Sequence, residues 1–292
     1  MTQAAWTGWR DRRRPASMVA PTSLAPSEVS IVIPVRDNQA GIDRFLRVVD
    51  ELQPAYRPGE IVIVDSASAQ PIRLDRPPVD CRLLRSDRPG AARARNIGWR
   101  AASNLWILFC DSDCVLTDTS IAGYLPALDG AIAYAGMVRA LTGGLLAHYY
   151  DEQKILIPPP TDSLRPAYLV TANALVWKAS LTAVDGFDEA FPSAGGEDID
   201  LALRLHDLGT LSFAPDSVVL HDFTDGIRGF VHRFVRYGRG NFLLESRHEG
   251  SHRPRRFAPA LRSAPHWVLA HAQYAAMLVG YHAARVAARL GG

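Results

Sequence analysis

Cysteine is scarce in this chain of 292 residues, which contains only Cys81, Cys110 and Cys114. An odd number of cysteines at these spacings fits neither a disulfide framework nor a zinc site with paired cysteines. The sequence therefore predicts a protein of a reduced, cytoplasmic compartment in which the three thiols are small buried side chains.

Blocks of like charge are also missing. The formal net charge is +2, and no run of like charge exceeds the three arginines Arg12, Arg13 and Arg14. Proteins that bind nucleic acids concentrate Lys and Arg on one face, so no nucleic-acid partner is expected. Any recognition of phosphate must then be local.

Glycine-rich phosphate loops are absent as well. Neither the dinucleotide-binding pattern GxGxxG nor the P-loop pattern GxxxxGK[ST] follows a predicted strand. This absence argues against dehydrogenases and P-loop enzymes. A sheet built from this sequence would have to hold a diphosphate through a metal ion and side chains.

Long apolar segments are interrupted, and neither end of the chain predicts a membrane span. Residues 1–27 lack periodicity and an apolar signal core, which predicts a disordered leader. Residues 267–290 are apolar and rich in alanine, but histidines and arginines interrupt them. They predict a packed or amphipathic helix, with a peripheral membrane contact on the cytoplasmic face as the alternative.

What the sequence does contain is an alternation of apolar strands and helical segments in its first half. The predicted strands cover 29–35, 60–65, 81–85 and 105–109, and the predicted helices cover 42–52 and 90–103. Strands that alternate with helices in this way are typical of a parallel α/β sheet.

Two of the predicted strands lead into acids. Asp65 closes one strand, and Asp111 and Asp113 follow another. Residues i and i+2 of an extended chain point to the same side, so Asp111 and Asp113 can converge on Mg²⁺ or Mn²⁺. Ligands of open α/β sheets bind beyond this carboxyl edge. Alone, an Asp-x-Asp sequence fits a solvated turn equally well.

Five segments of the chain carry a resemblance to a known family. They are SIVIPV at 30–35, VDSAS at 64–68, GAARARNIG at 90–98, DSD at 111–113 and GEDIDL at 196–201. In this order and at these spacings they resemble family 2 glycosyltransferases of the GT-A fold. The resemblance implies an α/β fold with a Rossmann-like, mostly parallel sheet flanked by helices and followed by a C-terminal helical extension.

The resemblance also implies a division of the chain. Residues 28–225 would form the GT-A catalytic domain, with a nucleotide-binding half over 28–115 and an acceptor half over 116–225. Residues 226–292 would form the C-terminal helices.

In such enzymes a nucleotide-diphosphate sugar lies over the edge of the sheet. The matching positions are Pro34, Val35, Asp37, Asp65, Arg95, Asn96, Asp111, Ser112 and Asn173. Asp37 and Asp65 would hold the base and ribose, and Arg95 would lie near the diphosphate. A helix cap is the alternative for Asp37, and a structural role in a turn is the alternative for Asp65.

The resemblance implies a metal site as well. Its ligands would be Asp113, Asp111 and His221, and the ion would be Mg²⁺ or Mn²⁺. A divalent ion there would neutralise the departing nucleotide diphosphate. A satisfied structural histidine is the alternative for His221.

The catalytic residues implied by the resemblance are Glu197 and Asp198, which open a predicted helix. Asp198 is the expected general base toward the acceptor, and Glu197 would orient acceptor or sugar, although the two roles could be exchanged. A plain stabilising role at the helix N-terminus is the alternative for both. One base without an evident protein nucleophile implies a single displacement with inversion at the anomeric carbon.

Residues 226–249 combine arginines with aromatic residues. Arg236 and Arg239 are the candidates for a lid over the diphosphate, because a guanidinium group suits phosphate oxygens. A helix face packed by its aromatics, or a membrane-surface patch, would give the same pattern. No Gln-x-x-Arg-Trp stretch and no set of spanning helices occurs, so a processive polysaccharide synthase is not expected.

The sequence thus predicts a metal-dependent, inverting, non-processive hexosyl- or N-acetylhexosaminyltransferase. A UDP-sugar is the expected donor. The acceptor (small molecule, peptide, glycan or lipid-linked) and the oligomeric state stay open. A nucleotidyltransferase and a catalytically inactive sugar-nucleotide-binding protein are the alternative functions, and the intact acids argue against the second.

Overall fold

An eight-stranded sheet forms the centre of the computed structural model, which describes residues 18–161, 165–248, 250 and 252–290. The strands are β1 (Val29–Val35), β2 (Glu60–Ser66), β3 (Asp80–Ser86), β4 (Trp106–Phe109), β5 (Cys114–Leu116), β6 (Ala133–Ala140), β7 (Ala174–Trp177) and β8 (Leu211–His221). Their spatial order is β3-β2-β1-β4-β7-β6-β8-β5.

The first half of the sheet is parallel, as the alternation of strands and helices predicts. Strands β3, β2, β1 and β4 pair in parallel register. Every residue of β2 and β4 is buried, as is typical of parallel strands in α/β proteins.

The second half of the sheet mixes strand directions. Strand β7 runs antiparallel to both β4 and β6, and β6 pairs in parallel with β8. The short strand β5 pairs antiparallel with the end of β8. The last pairing matters most for function, because it lays the chain after Asp111 against the chain around His221.

Eight α-helices surround the sheet in the described part of the chain. They are α1 (Gln39–Glu51), α2 (Ala91–Ala101), α3 (Thr119–Ala122), α4 (Leu145–Glu152), α5 (Lys178–Ala183), α6 (Glu197–His206), α7 (Gly226–Arg247) and α8 (Ala264–Leu290). Within the described residues, no helix has both the length and the apolar character needed to cross a membrane.

Glycines let the two C-terminal helices pack closely. A Cβ on Gly238 would lie 2.0 Å from the Met277 carbonyl oxygen, and one on Gly280 would lie 1.9 Å from the Val235 carbonyl oxygen. Both positions therefore require glycine, and α7 and α8 form one paired unit after the sheet. The predicted C-terminal helical extension is confirmed by these two helices.

Ordered chain begins earlier than the sequence predicts. The Met18 N–H donates to the Leu208 carbonyl over 3.0 Å, and Ala20 and Leu24 are buried. The prediction of a disordered leader is therefore wrong for residues 18–27, of which Ala20 and Leu24 belong to the core. Residues 1–17 of that leader lie outside the described residues.

Candidate active site

Arg95 lies at the centre of the site beyond the carboxyl ends of the parallel strands. Its Nη2 donates to Asp111 Oδ1 over 2.8 Å, and its Nη1 donates to Glu197 Oε1 over 2.7 Å. Only 3% of the Arg95 side chain is exposed. One buried guanidinium group therefore joins the acid after β4 to the first residue of α6.

Helix α2 can deliver Arg95 because its inner face is made of small residues. A Cβ on Gly98 would lie 2.4 Å from Val32 Cγ1. The buried Ala92 and Ala94 complete this face. The helix consequently lies close over β1, and Arg95 reaches the edge of the sheet.

Glu197 is fixed on both carboxylate oxygens. Oε1 accepts from Arg95, and Oε2 accepts from the Gly195 N–H over 2.5 Å. Gly195 and Gly196 have φ values of +134° and +106°, which favour glycine. Because its oxygens are engaged in this way, Glu197 is an anchored carboxylate.

The neighbouring Asp198 has a different environment. Burial is the main cause that raises its pKa to about 7, and the charge of Glu197 adds to this, while Arg95 opposes it. One carboxylate oxygen, Oδ1, accepts from the Ile199 N–H over 2.9 Å. A carboxyl group with a pKa near neutrality can take up a proton at physiological pH.

Asp198 and Glu197 face a cavity with mixed walls. The remaining lining residues are Arg95, Asp111, Ile155, Leu156, Tyr168, Val170, Thr171, Ala172, Ala194, Gly195, Gly196, Ile199 and Tyr237. The ionisable side chains gather on one side, and the rest of the wall is largely apolar and aromatic. Such a cavity suits a substrate that brings one reacting polar group to Asp198.

The pairing of β5 with β8 creates a candidate metal centre. Asp113, Cys114 and His221 each offer one ligand atom, and these atoms lie within 4.8 Å of one another. His221 Nε2 lies 3.3 Å from Asp113 Oδ1. The register that pairs Cys114 with His221 brings these groups together.

The two ring nitrogens of His221 have separate roles. Nδ1 lies 2.9 Å from the Asp222 carbonyl oxygen, which can only accept, so the proton belongs on Nδ1. Nε2 faces Asp113 Oδ1 at 3.3 Å and would offer its lone pair to a cation placed between them. This arrangement, in which one nitrogen is held by the backbone and the other is free to bind, is typical of metal-binding histidines.

Two of the three groups in this centre, the Asp113 carboxylate and the His221 imidazole, suit a divalent cation. Burial is the main cause that raises the pKa of Asp113, and Asp111 adds to it, whereas His221 opposes it. A cation beside Asp113 would relieve this penalty. Burial raises the pKa of Cys114 well above its usual range, so this group stays a thiol and is a poor ligand for Mg²⁺ or Mn²⁺.

Residues 30–172 match the sequence model of glycosyl transferase family 2. This segment is a family 2 glycosyltransferase domain. The five sequence motifs had implied this family, and the match confirms it.

Two relatives from Mycobacterium tuberculosis align with most of this chain. The pre-mycofactocin glycosyltransferases of Mycobacterium tuberculosis are 28% identical over 250 residues, covering 78% of this chain and 50% of theirs. The chain thus spans about half the length of the curated relatives it matches.

Solved structures share the fold at lower identity. The mannosyltransferase PcManGT from Pyrobaculum calidifontis, in complex with GDP-Man and Mn²⁺, aligns with a TM-score of 0.60 at 19% identity, covering 99% of this chain and 82% of its own. TarS 1-349 of S. aureus, in complex with UDP-GlcNAc, aligns with a TM-score of 0.53 at 14% identity, covering 90% of this chain and 92% of its own. The predicted GT-A fold is confirmed.

The two acids expected to bind the base and ribose, Asp37 and Asp65, accept hydrogen bonds from the loop that follows β2. Asp65 accepts from the backbone N–H groups of Ser68 and Ile72 and from Arg85. Although burial opposes it, the hydrogen bonds from Ser68 and the other donors lower the pKa of Asp65. The exposed Asp37 accepts from the Ala69 N–H over 2.7 Å. The two acids therefore shape the rim beside β1 and β2.

Helix α1 is capped by a different residue from the one considered in the sequence. The Asn38 side chain accepts from the Gly41 N–H, and its Nδ2 donates to Ser112. The rim after β1 is thus tied to the turn that contains Asp111 and Asp113. Pro34 and Val35 end β1, and Val35 is buried.

Two asparagines that were expected to bind the donor, Asn96 and Asn173, form hydrogen bonds within the protein through their side-chain amides. Asn96 donates to the Phe187 carbonyl and to Glu189, and it accepts from the Phe187 N–H and Trp99. Its amide holds the loop that leads to α6.

The amide of Asn173 is engaged as well. It accepts from the Tyr124 hydroxyl and donates to Ser217 and to the Met137 carbonyl. The residues just before it, Thr171 and Ala172, line the cavity instead. The Asn173 amide therefore holds together the chain just before β7, and a role for Asn173 in donor binding stays a prediction.

Helix α7 contributes an arginine that the sequence did not single out. Arg233 is buried, pairs with Asp225 over 3.2 Å, and lies over the rings of Tyr150 and Phe223. Although burial opposes its charge, Tyr237, Tyr150 and Asp113 raise the pKa of Arg233. It is therefore a permanent positive charge close to the candidate metal centre.

The two arginines expected in a lid have less contact with the protein. Arg236 is half-buried and Arg239 is exposed, and neither forms a hydrogen bond or ion pair with a described residue. Phe230 and Phe234 of the same helix are buried. Helix α7 is thus packed through its aromatic residues, one of the alternatives that the sequence allows.

Proposed function

We propose that this protein is an inverting glycosyltransferase that moves a sugar from a nucleotide-diphosphate donor to a discrete acceptor. The observation that carries the proposal is Asp198, a carboxyl group with a pKa of about 7. It faces a cavity that is also lined by Arg95 and Asp111, both of which lie in the segment that matches family 2.

The chemical step uses Asp198 as the general base. Its carboxylate accepts the proton of the acceptor nucleophile, whose lone pair forms the new bond to the anomeric carbon. The bond from that carbon to the diphosphate oxygen breaks at the same time, and the electron pair leaves with the nucleoside diphosphate. The sequence left the roles of Asp198 and Glu197 open. The engaged oxygens of Glu197 support Asp198 as the base.

Inversion is proposed because one displacement needs only one working carboxylate. Asp111 is paired with Arg95 and Glu197 with both Arg95 and Gly195. Among the described residues that line the cavity, no second carboxylate is left for nucleophilic attack. Attack by the acceptor on the face opposite the leaving group then inverts the configuration.

We also propose a divalent cation as cofactor, held by Asp113 and His221. When bound, such an ion would supply Lewis-acid stabilisation of the leaving diphosphate. Arg233 adds a fixed positive charge near the same place, and guanidinium groups hydrogen-bond well to phosphate oxygens. Arg236 and Arg239 remain candidates for closing over the diphosphate.

A UDP-sugar is the proposed donor, and a direct binding comparison tests it. Isothermal titration with UDP, GDP and CTP, each with and without Mn²⁺, should give tightest binding for UDP with Mn²⁺. GDP-Man and UDP-GlcNAc are the donors in the two solved structures named above. Tighter binding of GDP than of UDP would indicate a GDP-sugar as the donor and would leave the proposed enzyme class unchanged. Selective binding of CTP would favour the nucleotidyltransferase alternative.

Transfer itself is tested by incubating the protein with UDP-sugars and pools of possible acceptors. Mass spectrometry should find a hexose or N-acetylhexosamine adduct, formed in step with released UDP. Binding of donors without any adduct across small molecules, peptides, glycans and lipid-linked acceptors would support an inactive sugar-nucleotide-binding protein instead.

A further inference from the structure

The charge of this chain is unevenly distributed. Residues 250–292 contain six arginines and no lysine, aspartate or glutamate. The formal charge of this segment is therefore +6, and that of residues 1–249 is −4, since the whole chain carries +2. All six arginines are exposed, and none forms an ion pair with a described residue.

The same segment exposes an apolar stripe on α8. The stripe consists of Val268, Ala275, Val279, Val286 and Leu290. These positions recur at alternating intervals of seven and four residues, which places them on one face of a helix. The side chains are well exposed, from 55% for Val286 to 83% for Leu290 among the larger four. The opposite face packs against α7.

Polar and aromatic groups border this stripe on one side. Helical spacing places Arg285 and Arg289 next to it, together with His271 and the partly exposed Trp267. On the preceding loop, Arg256 lies 5.8 Å from the ring centre of Tyr274, and it lines a shallow groove with Trp267 and His271. The apolar stripe therefore has a basic and aromatic border.

We infer that the α8 stripe and its arginines form a docking surface for a membrane leaflet with anionic headgroups. A helix that lies in a membrane interface needs an exposed apolar face flanked by basic residues, and tryptophan favours that interface. Anionic headgroups complement the +6 charge. Helix α8 lies on such a surface and does not cross it, in accord with its polar interruptions.

Two other occupants fit this surface less well. A second copy of the chain meeting the same face would bring two sets of unpaired arginines together. A nucleic acid would use the arginines but would leave the valine stripe in water, because its backbone offers no apolar partner. Of these three occupants, the lipid surface alone uses both the charge and the stripe.

Vesicle co-sedimentation of the full chain, without donor or acceptor, tests this inference independently of sugar transfer. The chain should bind phosphatidylcholine vesicles that contain phosphatidylglycerol, and pure phosphatidylcholine vesicles much less. Added salt should weaken the binding. The double variant Arg285→Glu/Arg289→Glu and the double variant Val279→Asp/Val286→Asp should each lower the partition coefficient at least about tenfold.

Matched controls keep the result interpretable. Arg47→Glu on α1 and Leu125→Asp before β6 change exposed residues outside the segment, and binding should stay within about twofold of the original chain. Thermal melting checks that every variant folds. Equal vesicle binding by the α8 variants, or no binding by the original chain, would overturn the inference. So would binding that occurs only to nucleic acid, or a dimer that Val279→Asp/Val286→Asp dissociates.

Discussion

Arg95 and Glu197, which are 102 residues apart in the sequence, form a buried ion pair with 2.7 Å between Nη1 and Oε1. Their side chains are only 3% and 2% exposed. The pair joins two parts of the site, because Arg95 also holds Asp111, which follows β4. Glu197 in turn precedes the proposed base.

Removal of Arg95 should therefore destabilise the fold as well as the site. Arg95→Met leaves Glu197 buried without its partner, which should cost about 3–5 kcal/mol of unfolding free energy. Urea unfolding measures this cost. Arg100→Met on the same helix removes an exposed pair with Asp185 and should cost less than about 1 kcal/mol. Similar losses for the two variants would contradict a special role for the buried pair.

The raised pKa of Asp198 predicts a pH-dependent effect of Asp198→Asn on stability. The pKa of Asp198 in the folded state is about 7, whereas the ordinary value for an aspartate is 3.8. Between these values the folded state holds a proton that the unfolded state has lost, so this group makes stability fall as pH rises toward 7. Above pH 7 the buried carboxylate is charged and its full penalty remains.

Asparagine has no such charge. The melting temperature of Asp198→Asn relative to the original chain should therefore increase from pH 4.5 to pH 8. Asp207→Asn, just beyond the end of the same helix, makes the same substitution away from the cavity and serves as the matched control. An Asp198→Asn difference that is flat across this range would mean that Asp198 titrates normally.

Two residues of the candidate metal centre, His221 and Cys114, are expected to contribute differently to metal binding. His221→Gln should weaken Mn²⁺ binding by at least about 10-fold, because it removes the free Nε2. Cys114→Ala should leave Mn²⁺ affinity nearly unchanged, since its raised pKa keeps it a thiol. Electron paramagnetic resonance of Mn²⁺ titrated with each variant in the presence of UDP distinguishes them. Loss of binding only in Cys114→Ala would place the site on the thiol instead.

Close contact between α7 and the loop before Glu197 predicts a steric effect. A Cβ on Gly240 would lie 1.8 Å from the Gly195 carbonyl oxygen. Gly240→Ala should therefore cost about 1–3 kcal/mol of stability and lower turnover, because α7 must move away from this loop. Gly143→Ala has open space around its Cβ and should be nearly neutral. Unchanged stability and turnover in Gly240→Ala would show that the loop does not depend on this contact.

Much of the fold follows from local patterns in the sequence. The parallel half consists of continuous apolar strands separated by helices, and the predicted segments 29–35 and 105–109 correspond closely to β1 and β4. The antiparallel half could not be derived in the same way. Strand β5 has three residues, and its position depends on pairing with β8 more than a hundred residues later.

The candidate site, like the fold, could be predicted only in part from local sequence patterns. Motifs identified Arg95, Glu197 and Asp198 because these residue types occur at characteristic spacings. Asn96 and Asn173 occur in such motifs as well, yet their amides are used by distant partners that only the fold brings near. The sequence did not distinguish Arg233 from the other arginines of its helix, because the burial of Arg233 next to Asp113 depends on how α7 packs.

The most direct test of the central proposal compares sugar transfer by the original chain and by Asp198→Asn, with donor affinity measured on the same samples. The original chain should transfer sugar to an acceptor found in the screen, with a rate that rises as pH passes through about 7. Asp198→Asn should bind the donor with similar affinity and transfer about 10²–10⁴-fold more slowly. Near-normal transfer by Asp198→Asn would contradict the account.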